Sequence, residues 1–143
     1  MDTREKATAY VATQRSLYLY EGTRHAFIDV LATLPEDDFA RITRNLILMV
    51  LHEGAVAQVM HFPPCGEAYR VLQLTIPHDA NAEVLRWVIA HELGHVMQGR
   101  NWQEGDGDTL EHDASEQAFW WGFPKTAAVE EYLRAYRARF GAS

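Results

Sequence analysis

His91-Glu92-Leu93-Gly94-His95 constrains this chain more than any other feature, because two imidazoles four residues apart with a carboxylate between them can act together on a helix. Positions i and i+4 share one helix face, so both rings reach a common point. Glu92, a quarter-turn round from His91, stands beside that point and can contact a metal-bound water without ligating the metal. The pattern therefore supplies two zinc ligands and a base together. A catalytic zinc takes three protein ligands and keeps a fourth position for water, so the fold must also bring a third donor to this helix face.

The rest of the chain reads as an ordinary globular protein built as one domain over residues 1–143, long enough to bury a core without disulfides or other staples. No internal repeat or low-complexity tract interrupts it. The charged start Met1-Asp2-Thr3-Arg4-Glu5-Lys6 is not followed by an apolar core of leader length. The longest apolar run, Leu46 to Leu51, falls far short of the roughly 20 residues that span a bilayer and reads as a buried helix face. A single cysteine, Cys65, excludes an intrachain disulfide and fits a reducing compartment. The expectation is a cytoplasmic protein with no membrane partner. A net charge of −7 with scattered Lys and Arg speaks against a nucleic-acid partner. Arg134, Arg137 and Arg139 suit the carbonyl end of a terminal helix.

Periodicity and punctuation predict an α+β fold, mostly helical, with a small β-sheet or hairpin before the motif helix. Thr3 to Tyr20 lacks Gly and Pro and suits a first helix; His25 to Leu34 suits a second, stopped by Pro35. Glu36-Asp37-Asp38 open a third, whose apolar positions continue through Ile42, Leu46, Met49 and Val50 toward Gly54. Val56 to Phe62 and Tyr69 to Ile76 read as two strands joined by a turn at Pro63-Pro64-Cys65-Gly66, with Cys65 an incidental thiol in preference to a latent metal ligand. In the second strand Arg70, Leu72, Leu74 and Ile76 face opposite to Tyr69, Val71, Gln73 and Thr75. Asp79 or Asn81 can cap the motif helix and Gly99 can stop it. Gly99 to Asp108 is a loop with an acidic turn at Asp106-Gly107-Asp108. Thr109 caps a helix from Leu110 through Trp121, and a last packing helix runs from about Thr126 to Phe140. Trp120 and Trp121 read as core and rim packing, and His25, His52, His61 and His78 as structural or exposed.

The loop after Gly99 returns the chain toward His91 and His95, so the third ligand is expected on the helix that follows. Glu111, His112, Asp113 and Glu116 all qualify by position. Taken together, His91-Glu92-Leu93-Gly94-His95, then Glu111-His112-Asp113-Ala114-Ser115-Glu116-Gln117-Ala118, then Gly122-Phe123-Pro124, resemble the signature of zincin metallopeptidases of the gluzincin type, most closely the ImmA/IrrE-like group. The resemblance covers about 45 residues, roughly Ala80 to Pro124. It implies a minimal zincin-like domain in which Glu111, three residues before Ala114, is the third zinc ligand beside His91 and His95. It also implies that Tyr69 to Ile76 is the edge on which an extended peptide or protein substrate pairs. Ser115 departs from the Asn or Asp that often holds a zinc histidine there, and Gln117 stands where an aromatic is common.

The expected activity is zinc-dependent hydrolysis of peptide bonds, with Glu92 taking a proton from the activated water and passing it to the leaving amine. The alternative is a latent or non-enzymatic metal-stabilised interaction domain with a regulatory role.

Overall fold

A computed structural model of the chain describes residues 1–51, 57–62, 69–75, 80–99 and 107–140. Among these residues six α-helices and three strands follow in the order α1 (Thr3–Ala12), a 3-10 turn (Arg15–Leu17), α2 (Glu21–Thr33), α3 (Glu36–Thr43), β1 (Leu46–Leu51), β2 (Ala57–Phe62), β3 (Tyr69–Thr75), α4 (Ala82–Gln98), α5 (Gly107–Trp120) and α6 (Ala127–Phe140). The class is α+β, as expected. No helix among the described residues is long and apolar enough to cross a membrane.

Local chemistry sets most of these boundaries. Asp2 and Glu5 form a reciprocal capping box at the start of α1. That helix stops at Ala12 where one running to Tyr20 was expected, and the chain continues through Thr13 and Gln14 into the 3-10 turn. Helix α2 starts at Glu21, earlier than expected, and stops before Pro35, whose ring also opens α3. Asn81 caps α4: its Oδ1 accepts from the Val84 amide at 2.8 Å. Gly99 closes α4 at φ 72°, a conformation that glycine adopts without strain. Helix α5 begins at Gly107, so the expected acidic turn is partly its first turn and Thr109 lies inside the helix instead of capping it. Thr126 accepts from the Val129 amide at the start of α6.

The apolar run Leu46–Leu51 is a strand, which corrects the expectation that α3 continues through it. Asn45 takes a left-handed φ of 54° and ends the helical path. Beyond it, exposure alternates with period two: Leu46 and Leu48 are buried, whereas Ile47 and Met49 are exposed. The Arg70 guanidinium donates to the carbonyls of Arg41, Ile42 and Arg44 and so satisfies the carbonyl end of α3 where the chain turns into β1.

The sheet has the order β1-β3-β2, with β1 parallel and β2 antiparallel to β3. Strand β3 alternates as predicted, with Leu72 and Leu74 buried, but it is central and paired on both sides. It is therefore no free edge for substrate, contrary to the expectation. The outer edge of β1 is occupied by side chains of the N-terminal segment. Tyr10 and Ser16 donate to the Leu46 and Leu48 carbonyls at 2.8 and 2.6 Å, and Gln14 accepts from the Leu48 amide at 2.9 Å. Both β1 and β2 are edge strands, and among the described residues no such side-chain bonds to the outer edge of β2 are seen.

Helix α4 runs through the middle of this arrangement, in contact with α2, α3, α5, α6 and the sheet. Its residues from Val84 to Val96 are buried except Arg86 and His95, as befits a helix apolar nearly all round. The core joins Phe27, Val30 and Leu31 of α2, Leu72 and Leu74 of β3, and Ile89, Leu93 and Val96 of α4. Trp121, buried after α5, donates from Nε1 to Asp38 of α3 at 3.0 Å, while Trp120 points outward. The motif helix is thus anchored from several sides at once, and its histidines sit on a rigid support.

Candidate metal centre

Helices α4 and α5 cross with very little between them. A Cβ at Gly94 would lie 2.9 Å from the Ala114 carbonyl oxygen and 3.0 Å from its Cα, so the fourth residue of the motif must be glycine for the helices to meet this closely. Leu110, Ala114 and Ala118 form the buried stripe of α5, and the preceding turn of that helix carries Glu111 to the face of α4 that holds His91 and His95.

The two imidazoles converge on one carboxylate. Glu111 Oε2 lies 3.0 Å from His91 Nε2, and its Oε1 lies 2.9 Å from His95 Nε2. Each opposite ring nitrogen has its own partner: His91 Nδ1 is 3.1 Å from Ser115 Oγ, and His95 Nδ1 is 2.9 Å from Gln98 Oε1. The Gln98 amide nitrogen donates to the Leu110 carbonyl at 2.7 Å, which turns its oxygen toward His95 and makes His95 Nδ1 the donor. With Nδ1 protonated, Nε2 of a neutral His95 is the nitrogen free to ligate, and it already faces the common point. Trp87 stacks on the His91 ring at 5.0 Å, and the two histidine rings meet edge to face at 4.8 Å.

His91, Glu92 and His95 form a group whose ligand atoms lie within 4.8 Å of one another and which could hold a metal ion. Glu92 is the looser candidate for ligation, because Glu111 reaches both imidazoles at hydrogen-bond distance. Around a tetrahedral ion with bonds of about 2.0–2.1 Å, donor atoms stand roughly 3.3 Å apart, close to the separations seen here. Two imidazoles and a carboxylate, with both outer ring nitrogens engaged, are a donor set that fits such an ion.

The two carboxylates differ electrostatically. Burial pushes the Glu92 carboxyl above the usual carboxylate range, against the lowering effect of His91 and His95. Hydrogen bonds from both histidines hold Glu111 well below that range, against a smaller opposing effect of burial. Burial alone would lower His95, but the bond to Glu111, the nearby Glu92 charge and Gln98 together raise it to about 9. Without an ion, a proton on His95 does part of a cation's work and binds the ring to Glu111.

A cleft of about 570 Å³ opens on this group. Trp87, Val88, His91 and Glu92 line it from α4; Asp108, Glu111, His112 and Ser115 from α5; Lys125 and four residues of α6 close the far side. A larger and mainly apolar hollow of about 750 Å³ lies elsewhere, between α1 and α2, and contains none of the motif residues.

The structure brings His91, Glu92, His95 and Glu111 together. Asp113, the rival third ligand, is exposed and groups with His112 and Glu116. His25 is exposed, 3.6 Å from Glu21. His52, His78, Asp79 and the Cys65 turn lie outside the described residues, as do Asp106 and most of the loop after Gly99. Three features of the site were not anticipated from sequence. Gln98 locks His95, its signal being a position three residues on along the same helix face. Ser115, noted as a departure from the resembled pattern, faces His91 with a hydroxyl. The terminal helix does more than pack, since Tyr132, Leu133, Tyr136 and Arg137 wall the cleft. Searches against protein families, curated proteins and solved structures found no match to this chain.

Proposed function

We propose that the protein is a zinc-dependent metallopeptidase in which His91, His95 and Glu111 hold the ion and Glu92 is the general base. The observation that carries this reading is the convergence of His91 Nε2 and His95 Nε2 on the Glu111 carboxylate, with buried Glu92 alongside. When bound, zinc acts as a Lewis acid that acidifies water and polarises a carbonyl.

The residues of the chain do the rest. Glu92, destabilised as an anion by its burial, takes a proton readily from an attacking water and passes it to the leaving nitrogen as the C–N bond breaks. Glu111, kept ionised, remains a ligand and does not compete for that proton. Ser115 and Gln98 hold the two rings in place while charge moves past them. The outer edge of β2, the strand with the more extensive contact to α4, offers backbone groups to an extended substrate, in place of the edge expected on β3.

The test is Glu92→Gln, which keeps the shape of the side chain and removes the base. Zinc content should stay at one ion per chain while peptide hydrolysis falls by about 10²–10⁴-fold, the usual contribution of such a base. Turnover at the native rate would defeat the assignment.

A further inference from the structure

The wall that Lys125 and α6 give the cleft differs in charge from the α4 and α5 side, which contributes Glu92, Asp108 and Glu111. On a chain with a net charge of −7, the residues that Lys125 and α6 contribute to the cleft are Lys125, Tyr132, Leu133, Tyr136 and Arg137: two cations, two phenols and one apolar side chain, with no carboxylate. Helix α6 has acidic residues, Glu130 and Glu131, but neither lines the cleft.

Both cations are placed with some specificity. The Lys125 ammonium lies 5.6 Å from the centre of the Trp87 ring, which itself stacks on His91, so this charge sits one aromatic ring away from a proposed ligand. Arg137 lies one helical turn beyond Leu133 on the face of α6 that includes buried Val129, whereas Arg134 and Arg139 lie round the helix and do not line the cleft. Favourable interaction with the carbonyl end of α6 accounts for basic residues in its last turn and is served equally by Arg139. It does not account for a second cation, Lys125, on the same wall before α6 begins.

A guanidinium and an ammonium beside a bound peptide favour a carboxylate over an amide of the same shape. Resting on the peptidase reading above, we propose that Lys125 and Arg137, about 15 Å apart along the α6 wall by helix rise, make this cleft a carboxylate-binding one that selects substrates carrying an acidic side chain or a free C-terminus.

The experiment uses the full chain loaded with zinc and carrying Glu92→Gln, so that binding is measured without turnover. The probes are N-acetylated tetra-alanine as its C-terminal amide, the same peptide as free acid, and the amide with one internal Ala replaced by Glu or by Gln. The proposal expects at least one carboxylate peptide to bind about tenfold or more tightly than its neutral match, with the difference shrinking as salt is raised. The free acid and the internal Glu peptide separate the two sources of the carboxylate.

Adding Lys125→Ala and Arg137→Ala should bring the matched affinities together at unchanged zinc content, and Arg137→Glu should reverse the order. Equal affinities across the four peptides, including no binding by any, overturn the proposal, as does a preference that survives removal of both cations. In the chain with Glu92 intact, the same preference should appear in KM with kcat little changed. A carboxylate preference in binding without any hydrolysis would leave this carboxylate-binding cleft standing and remove the peptidase reading.

Discussion

Helices α4 and α5 each give one carboxylate to the same cleft, and they treat it in opposite ways. Helix α4 is buried almost all round, and Glu92 is 8% exposed, short of solvation and easily protonated. Helix α5 buries only its Leu110, Ala114 and Ala118 stripe, and the Glu111 side chain is 66% exposed, yet two imidazoles keep it ionised. Burial and partnership, not residue type, set the two carboxylates apart and suit them to the proposed roles of base and ligand. The division depends on the helices being close enough for an exposed residue of one to meet buried residues of the other.

The harshest way to break the contrast is to force the helices apart. Replacing glycine by alanine inside a helix normally stabilises it by about 0.5–1 kcal/mol. Gly94→Ala should instead destabilise the protein by about 1–3 kcal/mol, because the added methyl meets the Ala114 backbone. It should weaken zinc binding as well, since Glu111 lies one turn before Ala114 on the displaced helix. Denaturant unfolding gives the sign, and a stabilised protein would mean that the crossing is looser than described.

A gentler change cuts the strut between the helices. Gln98 bridges His95 and the Leu110 carbonyl, so Gln98→Leu should lower zinc affinity by about 10–100-fold, the usual cost of losing a partner behind a ligand. Competition with a chelating dye measures this; unchanged affinity would leave Gln98 as packing only.

The smallest effect sharpens the electrostatic side. His95, raised to about 9 without metal, carries a proton at neutral pH that an ion must displace. Zinc binding should therefore release about one proton at pH 7 from this residue and almost none above pH 10, and affinity should rise with pH until that proton is gone. Calorimetry in buffers of different ionisation heat counts the protons. In the metal-free protein the raised value of His95 contributes stability fully present below 6.5 and lost as pH rises through about 9. An equal release at both pH values would show that the His95–Glu111 bond does not set the metal-free state.

The site was more legible in the sequence than the fold around it, and for physical reasons. His91, Glu92 and His95 announce their helix through spacing, and Asn81 and Gly99 mark its ends with side-chain and backbone chemistry that few other positions need. Glu111 was one of several acceptable donors on α5, and only the crossing at Gly94 and Ala114 distinguishes it geometrically from Asp113. The strand β1 was misread because six apolar residues in succession fit a buried helix as well as a strand. The left-handed Asn45 and the pairing of Leu46 with Arg70 decide the matter, and neither is local information. The place of β3 in the centre of the sheet depends on that same long-range pairing, so the substrate edge was misassigned with it. The α6 wall looked like packing because Val129, Tyr132, Leu133 and Tyr136 share a helix face, and that face turns out to be shared between the core and the cleft.

The most direct measurement of the central claim is zinc X-ray absorption on the purified protein and on Glu111→Ala. The account predicts one zinc per chain in a shell of nitrogen and oxygen donors with two imidazoles, and loss of the ion or of an oxygen donor in Glu111→Ala. A sulfur donor, which would point to Cys65, or a shell unchanged by removing Glu111, would contradict it.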